Sequence, residues 1–180
     1  MNIILETGRL VLRKFKPEDA QALFENHRDG EVRKWFPNEC YADAEEARNA
    51  ILFYARCVDS GRLPYVLAAE LTQTGELIGD AGISLTEGRT DETEIGYCIG
   101  EPFRGRGYAP EIVAALSAFA AGHLGVRAID GRVLHGNTAS SRVLEKCGYR
   151  FMREESGAED DPYGKGMLVY RKWFREPGSL

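Results

Sequence analysis

The segment Glu94-Ile-Gly-Tyr-Cys-Ile-Gly-Glu-Pro-Phe-Arg-Gly-Arg-Gly-Tyr-Ala109 decides the fold. Its first part alternates apolar and small or polar residues, which predicts a strand that ends at Ile99 or Gly100. Its second part is a loop with two closely spaced glycines, and a helix follows directly from about Tyr108. A strand that leads through a glycine loop into a helix indicates a site for a ligand at the helix start.

The chemistry of this loop favours a phosphate or pyrophosphate ligand. Gly105 and Gly107 let backbone N–H groups turn inward, and the helix start adds unpaired N–H groups and a positive dipole end. Arg104 and Arg106 add charge. No GxxxxGK[ST] motif occurs, and Pro110 takes the last place of a GxGxxG pattern, so a P-loop is excluded and a Rossmann site is disfavoured. A purely structural turn with two solvated arginines is the plain alternative.

The flanking sequence predicts an α+β fold with a mixed sheet. A first strand is expected at Arg9–Phe15, followed by a helix from Pro17, a short helix at Glu31–Phe36 and a longer helix after Asp43 to about Asp59. The remaining elements are three strands joined by short turns, a helix, a strand, a helix and two strands. The expected bounds are Tyr65–Leu71, Leu77–Leu85, Thr93–Ile99, Tyr108–Leu124, Ala128–Leu134, Thr138–Cys147, a strand from Tyr149, and Met167–Phe174. The two strands around the Tyr108–Leu124 helix should lie parallel and near each other.

Composition limits the class of protein. The 180 residues predict a single domain over 1–180, and a net charge of −5 disfavours direct nucleic-acid binding. No apolar run long enough for a membrane span and no signal peptide are recognised. Four cysteines without paired spacing predict reduced thiols and a cytoplasmic protein. The three histidines, His27, His123 and His135, show no metal-ligand spacing, so they are assigned to core or surface and no metal is expected.

Three segments together resemble one family. Arg104-Gly-Arg-Gly107-Tyr-Ala109 resembles the R/Q-x-x-G-x-G/A signature of the GNAT superfamily of acetyl-CoA-dependent N-acetyltransferases. Asn137-Thr-Ala-Ser140-Ser-Arg-Val-Leu-Glu-Lys-Cys-Gly148-Tyr149 is similar to a segment of its RimJ/RimL-like branch. The opening Thr7-Gly-Arg9-Leu-Val-Leu-Arg13, with Pro17-Glu-Asp19 after it, resembles that branch too. The resemblance covers about residues 6–174.

The resemblance implies a fold and a coenzyme site. The fold would be a mostly antiparallel, splayed sheet of about seven strands flanked by helices. Acetyl-CoA would be the cosubstrate, and its pantetheine arm would lie along the backbone of Cys98 and Ile99, with a hydrogen bond from Asn137. N-capping of a helix is the simpler role for Asn137. The pyrophosphate would be held by Arg104, Gly105, Arg106, Gly107, Tyr108 and Ala109.

Two residues are candidates for acid–base catalysis. Glu94 shares one face of its strand with Gly96, Cys98 and Gly100, so a carboxylate stands beside space for a ligand. The alternative is a solvated edge-strand glutamate; the resemblance favours a general base that deprotonates the attacking ammonium. The resemblance also implies that Ser140 protonates the leaving thiolate, since Leu144 stands where many GNAT enzymes carry tyrosine; water is the alternative proton donor. An acetylated Cys98 is a less favoured route.

The sequence indicates less about the acceptor substrate than about the coenzyme. Trp35, Phe36 and Tyr41 could form an aromatic wall of the acceptor site, or pack between helices. The acidic run Glu154–Asp161 is either a solvated loop or an attraction for a cationic acceptor. We therefore expect transfer of an acetyl group to a primary amine of a protein N-terminus or small molecule, by direct attack in a ternary complex. Alternatives are a polyamine or antibiotic acceptor and a non-catalytic acyl-CoA-binding module; a monomer or homodimer is expected.

Overall fold

A computed structural model describes residues 3–37, 40–86, 93–157 and 166–174. These residues form one eight-stranded sheet in the order β1-β2-β3-β4-β5-β6-β8-β7. The strands are β1 Ile3–Glu6, β2 Leu10–Arg13, β3 Tyr65–Leu71, β4 Leu77–Leu85, β5 Thr93–Ile99, β6 Ala128–Leu134, β7 Arg150–Glu155 and β8 Met167–Trp173. All neighbouring strands are antiparallel except β5 and β6, which are parallel as predicted.

The sequence pattern missed the N-terminal strand. Residues 3–13 form a hairpin of β1 and β2, where a single strand at Arg9–Phe15 was predicted. β1 lies at the sheet edge with Ile3 and Glu6 exposed, so its four residues Ile-Ile-Leu-Glu show no alternation that would distinguish a strand. The sheet therefore has eight strands rather than about seven.

The described residues contain five α-helices, whose predicted positions are confirmed to within a few residues. They are α1 Ala20–His27, α2 Gly30–Trp35, α3 Ala44–Asp59, α4 Tyr108–His123 and α5 Thr138–Lys146; a 3₁₀ turn at Pro17–Asp19 precedes α1. The Asp43 carboxylate caps α3 by accepting a hydrogen bond from the backbone N–H of Glu46. Gly61, which follows this helix, has the positive φ of 64° that a glycine terminator permits.

Apolar side chains are buried in two clusters. The larger contains the inner face of α4, with Ile112, Val113 and Leu116 fully buried against the strands. The smaller joins α1, α3 and β3 through buried side chains that include Leu23 and Ile51. Burying each such side chain contributes about 1.5–3 kcal/mol, so packing holds these helices against the sheet.

The feature that positions the site is a parting of β5 from β6. Among the described residues, these strands pair only at Thr93 with Ile129 and at Glu94 with Asp130. β5 stays paired with β4 along its whole length, as far as Ile99. A gap therefore opens in the sheet directly after Glu94, as the expected splay requires. In the described part of the chain, no helix combines the length and hydropathy needed to cross a bilayer.

Candidate active site

The glycine loop after β5 leaves the start of α4 available for an anion. Gly105 and Gly107 have φ of 74° and 79°, a left-handed backbone that disfavours other residues. Gly107 is the N-cap of the 16-residue α4, and no side chain caps it. The first-turn N–H groups therefore have no side-chain acceptor at the cap, and an anion there would meet both N–H donors and the positive dipole end.

A brace from the N-terminal hairpin holds this loop, and sequence reasoning did not assign it. The Arg9 guanidinium donates hydrogen bonds to the carbonyl oxygens of Arg106 (2.9 Å) and Gly107 (3.1 Å). It also pairs with Glu111 in the first turn of α4, and lies 4.6 Å from the ring centre of Tyr108. The Thr7 hydroxyl donates to Glu111 as well. The opening motif that supported the family resemblance thus has a local purpose, which is to orient the loop.

The two loop arginines differ in their surroundings. Arg104 donates from Nε to the carbonyl oxygen of Ile99 (2.9 Å) and forms an ion pair with Asp29. Partial burial of Asp29 opposes ionisation, but its hydrogen bonds from Arg104 and from the Glu31 backbone outweigh this and lower its pKa. Arg106 is exposed and lies 5.9 Å from the Phe103 ring centre. The Arg104 side chain thus ties the end of β5 to α2, and coenzyme contacts of Arg104–Ala109 stay a prediction.

The backbone that faces the gap follows from the register of β4 and β5. Gly100 donates its N–H to Ile78 on β4, and Asp80 pairs with Cys98 in the same ladder. Since alternate residues of an antiparallel ladder turn their N–H and C=O groups to opposite sides, Cys98 faces β4 while Tyr97 and Ile99 face the gap. Cys98 and Ile99 were both expected along the pantetheine arm. The Ile99 backbone faces the gap and the Cys98 backbone faces β4, and contact of either with the arm stays a prediction.

A cavity of about 660 Å³ runs along the same stretch of β5. Glu94, Gly96 and Cys98 line it, and so do Ile95 and Tyr97 from the opposite face of the strand. All three aromatic residues proposed for the acceptor also line it, and α3 adds two more rings that sequence reasoning missed. The five are Trp35, Phe36, Tyr41, Phe53 and Tyr54. Phe53 and Tyr54 lie on α3, which the sequence predicted as an amphipathic helix. That prediction does not reveal which part of the protein the helix packs against, so it could not assign these two residues to the cavity.

The floor of the cavity contains a buried charge pair. His27 Nε2 lies 2.8 Å from Asp80 Oδ2, and His27 is only 2% exposed. Burial opposes the charged imidazolium, but the Asp80 carboxylate outweighs it and raises the pKa of His27 to about 12. Potential ligand atoms of His27, Asp80 and Cys98 lie within 4.8 Å of one another. His27 is thus a core residue as predicted, and it also belongs to the cavity.

Cys98 is 4% exposed, and burial raises the pKa of its thiol despite the neighbouring imidazole. A raised pKa keeps the sulfur protonated near neutral pH, which disfavours a nucleophilic role for it.

Ser140 has a partner that sequence reasoning missed. The Tyr97 hydroxyl on β5 lies 3.0 Å from Ser140 Oγ on α5. Burial raises the pKa of Tyr97 to about 12, although its hydrogen bond with Ser140 acts in the opposite direction. Tyr97 lies on β5, the strand that carries Glu94, and this shared strand was the signal that could have suggested it as a partner of Ser140. Asn137 accepts a hydrogen bond from the Ser140 backbone N–H (3.2 Å), so it caps α5; a contact with pantetheine stays a prediction.

The described part of the acidic run is already paired. Glu154 accepts from His135 (2.7 Å), and Glu155 forms ion pairs with Arg132 (2.6 Å) and Arg153 (2.7 Å). The rest of the run, from residue 158, lies outside the described residues. Exposed His123 stacks on Phe119 and lies apart from the cavity.

With the parted sheet, the glycine loop and the carboxylate beside the gap described, comparison with known proteins gives the family. The acetyltransferase (GNAT) domain matches residues 9–150. The chain belongs to the GNAT acetyltransferases, and it is an acetyltransferase with their mixed, mostly antiparallel sheet.

Individual relatives extend the match over most of the chain. The uncharacterized N-acetyltransferase YoaA of Bacillus subtilis is 31% identical over 147 residues, which is 82% of each chain. A GNAT-family acetyltransferase from Bacillus anthracis has a similar structure, with a TM-score of 0.78, 24% identity, and coverage of 96% of this chain and 98% of that one. RimL, a ribosomal L7/L12 α-N-protein acetyltransferase solved with coenzyme A, has a TM-score of 0.77 at 19% identity, covering 95% and 97%.

Proposed function

We propose that this protein transfers the acetyl group of acetyl-CoA to a primary amine by direct attack in a ternary complex. One observation carries the proposal: the sheet parts directly after Glu94, so the gap, the glycine loop and the carboxylate are adjacent. The loop and the start of α4 suit the coenzyme's pyrophosphate, and the gap suits the extended pantetheine arm. Similarity to RimL, whose structure contains coenzyme A, supports the choice of cosubstrate.

Glu94 is the proposed general base. An amine acceptor is protonated near pH 7 and must lose a proton before its nitrogen can attack the thioester carbonyl. Glu94 lines the cavity at the point where β5 and β6 separate, so its carboxylate can take this proton directly or through water. The gap-facing backbone N–H of Ile99 is the proposed donor to the thioester oxygen as negative charge develops there.

Collapse of the tetrahedral intermediate breaks the carbon–sulfur bond and releases the coenzyme as a thiolate. Ser140 is the proposed donor of the proton to that sulfur, with Tyr97 holding its hydroxyl. A thiol near its ordinary pKa of about 8.5 is already a fair leaving group, so this step needs little assistance. The raised pKa of buried Cys98 supports direct attack over an acetyl-cysteine intermediate.

We also propose an acceptor class, a cellular compartment and an oligomeric state for this enzyme. A RimJ/RimL-like acceptor, the α-amino group of a protein, is one member of the amine class, and RimL supports it by structural similarity alone. Four free cysteines, three of them buried, support action in the cytoplasm. The whole chain would act as one domain, as a monomer or homodimer.

Thermal unfolding with acetyl-CoA tests the coenzyme site. At 100 times Kd, binding should add about 2.7 kcal/mol, which raises Tm by roughly 5–11 °C for a chain of this size. Gly107→Glu should abolish the shift, because it puts a side chain and a negative charge at the anion site. Gly75→Glu is the matched control: Gly75 has a similar φ of 70° and open surroundings, in the turn between β3 and β4. A wild-type protein that shows no shift would contradict the proposal.

A further inference from the structure

We propose that Asp29, through its salt bridge with Arg104, positions the aromatic wall that α2 contributes to the acceptor site. Asp29 is a positioning residue in this account, because it acts on the amine through α2 rather than by contact. The Arg104 side chain is thereby assigned to the amine's site, which leaves its backbone and the rest of the loop for the coenzyme. The inference rests on the proposed function and concerns how the acceptor of that reaction is held.

The short helix α2 lies across the open end of the parted strands. Its N-cap Asp29 forms a salt bridge with Arg104, whose Nε donates to the carbonyl oxygen of Ile99 at the end of β5 (2.9 Å). At the other end of α2, the Trp35 ring passes beside the turn after β6, where a side-chain carbon placed on Gly136 would lie 3.7 Å from Trp35 Cη2. A helix of six residues rises about 9 Å, whereas paired strands lie about 4.8 Å apart. The helix is therefore long enough to reach from one strand end to the other.

The cavity includes residues of both strands at this place. Its lining contains Cys98 from β5 and Leu134 from β6, and α2 contributes Trp35 and Phe36. These two rings therefore border the region in which, under the proposed function, the amine meets the thioester. A displacement of α2 would change the shape of the acceptor site and leave the glycine loop in place.

The Trp35 ring is fixed to its own helix. Its Nε1 donates to Glu31 Oε2 one turn earlier (3.1 Å), and Lys34 Nζ lies 4.4 Å from the centre of the ring. Both partners belong to α2, so the ring moves together with the helix. The position of the ring over the gap therefore depends on the contacts that anchor α2 to the rest of the protein.

The contacts that anchor α2 differ in chemistry. Val32 is buried, and an apolar contact of this kind is non-directional. The pair of Arg104 with Asp29 is directional, because the guanidinium donates from a planar fork and the same carboxylate accepts from the backbone N–H of Glu31 (3.1 Å). The pair thus fixes the start of α2 relative to β5. Since a partly exposed salt bridge contributes little to stability, its loss should shift the wall without unfolding the protein.

Asp29→Asn removes the charge pair and keeps the cap, because asparagine caps a helix as well as aspartate does. With hexylamine as the probe amine and saturating acetyl-CoA, the KM for hexylamine should rise about twofold to fivefold, the range for loss of a partly exposed salt bridge. The Kd for coenzyme A should stay at the wild-type value. Glu25→Gln, which changes an exposed carboxylate on α1, is the control. A weaker Kd for coenzyme A with an unchanged KM for hexylamine would overturn the inference.

Tryptophan fluorescence tests the position of α2 without requiring turnover. The chain has two tryptophans, so Trp173→Phe leaves Trp35 as the reporter. In that background, Asp29→Asn should increase the quenching of Trp35 by acrylamide and shift its emission to longer wavelength, and adding Arg104→Gln should change neither further. Unchanged quenching in Asp29→Asn would overturn the inference. A wild-type protein that acetylates no amine would instead count against the proposed function, and the quenching would still decide whether Asp29 positions α2.

Discussion

The Tyr97 hydroxyl lies 3.0 Å from Ser140 Oγ and 3.3 Å from the Ser140 carbonyl oxygen, which links β5 to α5 across the parted sheet. The two residues belong to different elements, 43 positions apart. Burial raises the pKa of Tyr97 to about 12, with the Ser140 hydrogen bond opposing that shift, so the phenol stays protonated and can donate. Where many family members use a tyrosine on the helix, this chain carries Leu144, and a tyrosine approaches the same helix from the strand.

Tyr97→Phe should lower kcat by about threefold to tenfold, because it removes one hydrogen bond that orients the Ser140 hydroxyl. Acetyl-CoA affinity should change little, since the ring remains in place. Steady-state kinetics with varied acetyl-CoA and a saturating amine measure both quantities: kcat should fall, and the KM for acetyl-CoA should change little.

Ser140→Ala and the double variant test whether the two residues act together. If Tyr97 works through Ser140, adding Tyr97→Phe to Ser140→Ala should cost little more. Fully additive losses in kcat would show that the phenol acts independently of the serine.

Glu94→Gln should reduce kcat/KM by about 10²-fold or more near neutral pH, since the ammonium then loses its proton acceptor. The deficit should shrink as pH rises toward the pKa of the free amine, because solution deprotonates the nucleophile instead. A rate–pH profile for wild type and variant measures this. Glu76→Gln, in the exposed turn after β3, is the control, and a deficit that does not change with pH would argue against a general base.

Arg9→Ala should raise the Kd for acetyl-CoA by about tenfold, because two hydrogen bonds to the loop carbonyls are lost. kcat at saturation should stay near the wild-type value, since Arg9 lies away from the cavity. Titration calorimetry gives the Kd. Arg9→Lys keeps the charge but not the planar fork, so it should recover only part of the affinity; complete recovery would point to charge rather than loop geometry.

The His27–Asp80 pair predicts a stability that depends on pH. The pKa of His27 is about 12 in the folded protein and about 6.5 when unfolded, so the folded state binds the proton more tightly. The stabilisation is complete below about pH 6.5 and declines by up to about 1.4 kcal/mol per pH unit above it. Urea unfolding near pH 6, 7.5 and 9 should therefore show the difference between wild type and His27→Gln narrowing as pH rises. Exposed His123→Gln should show no such trend, and a constant difference for His27→Gln would mean that the buried imidazole is neutral.

Local sequence signals were sufficient for most elements of the fold. Caps such as Asp43, a terminator such as Gly61, and the alternation in β3, β4 and β5 are properties of short segments, so the pattern reveals them. β1 was not predicted because its four residues at the sheet edge alternate too little between apolar and polar to be recognised as a strand. Its existence depends on pairing with β2, which is a tertiary property.

The contacts within the site were less predictable, because they join residues far apart in sequence. Nothing near Arg9 indicates that its guanidinium reaches carbonyl oxygens about 97 positions away, and nothing near Tyr97 indicates Ser140. The pairing of Asp80 with His27 likewise depends on how α1 packs over β4. The sequence could propose Glu94 as a candidate from its small neighbours on one strand face, but the partners of the other groups depend on the fold.

The measurement that tests the central claim most directly follows both products of one reaction. Purified protein is mixed with acetyl-CoA and hexylamine, and free thiol and N-acetylhexylamine are quantified together by absorbance and mass spectrometry. The account predicts that the two products form in equal amounts, at a rate that Glu94→Gln reduces and Glu76→Gln leaves unchanged. Coenzyme binding without any acetylated amine, for hexylamine and for a peptide amide that begins with phenylalanine, would contradict it and indicate a protein that binds acyl-CoA without transferring the acetyl group.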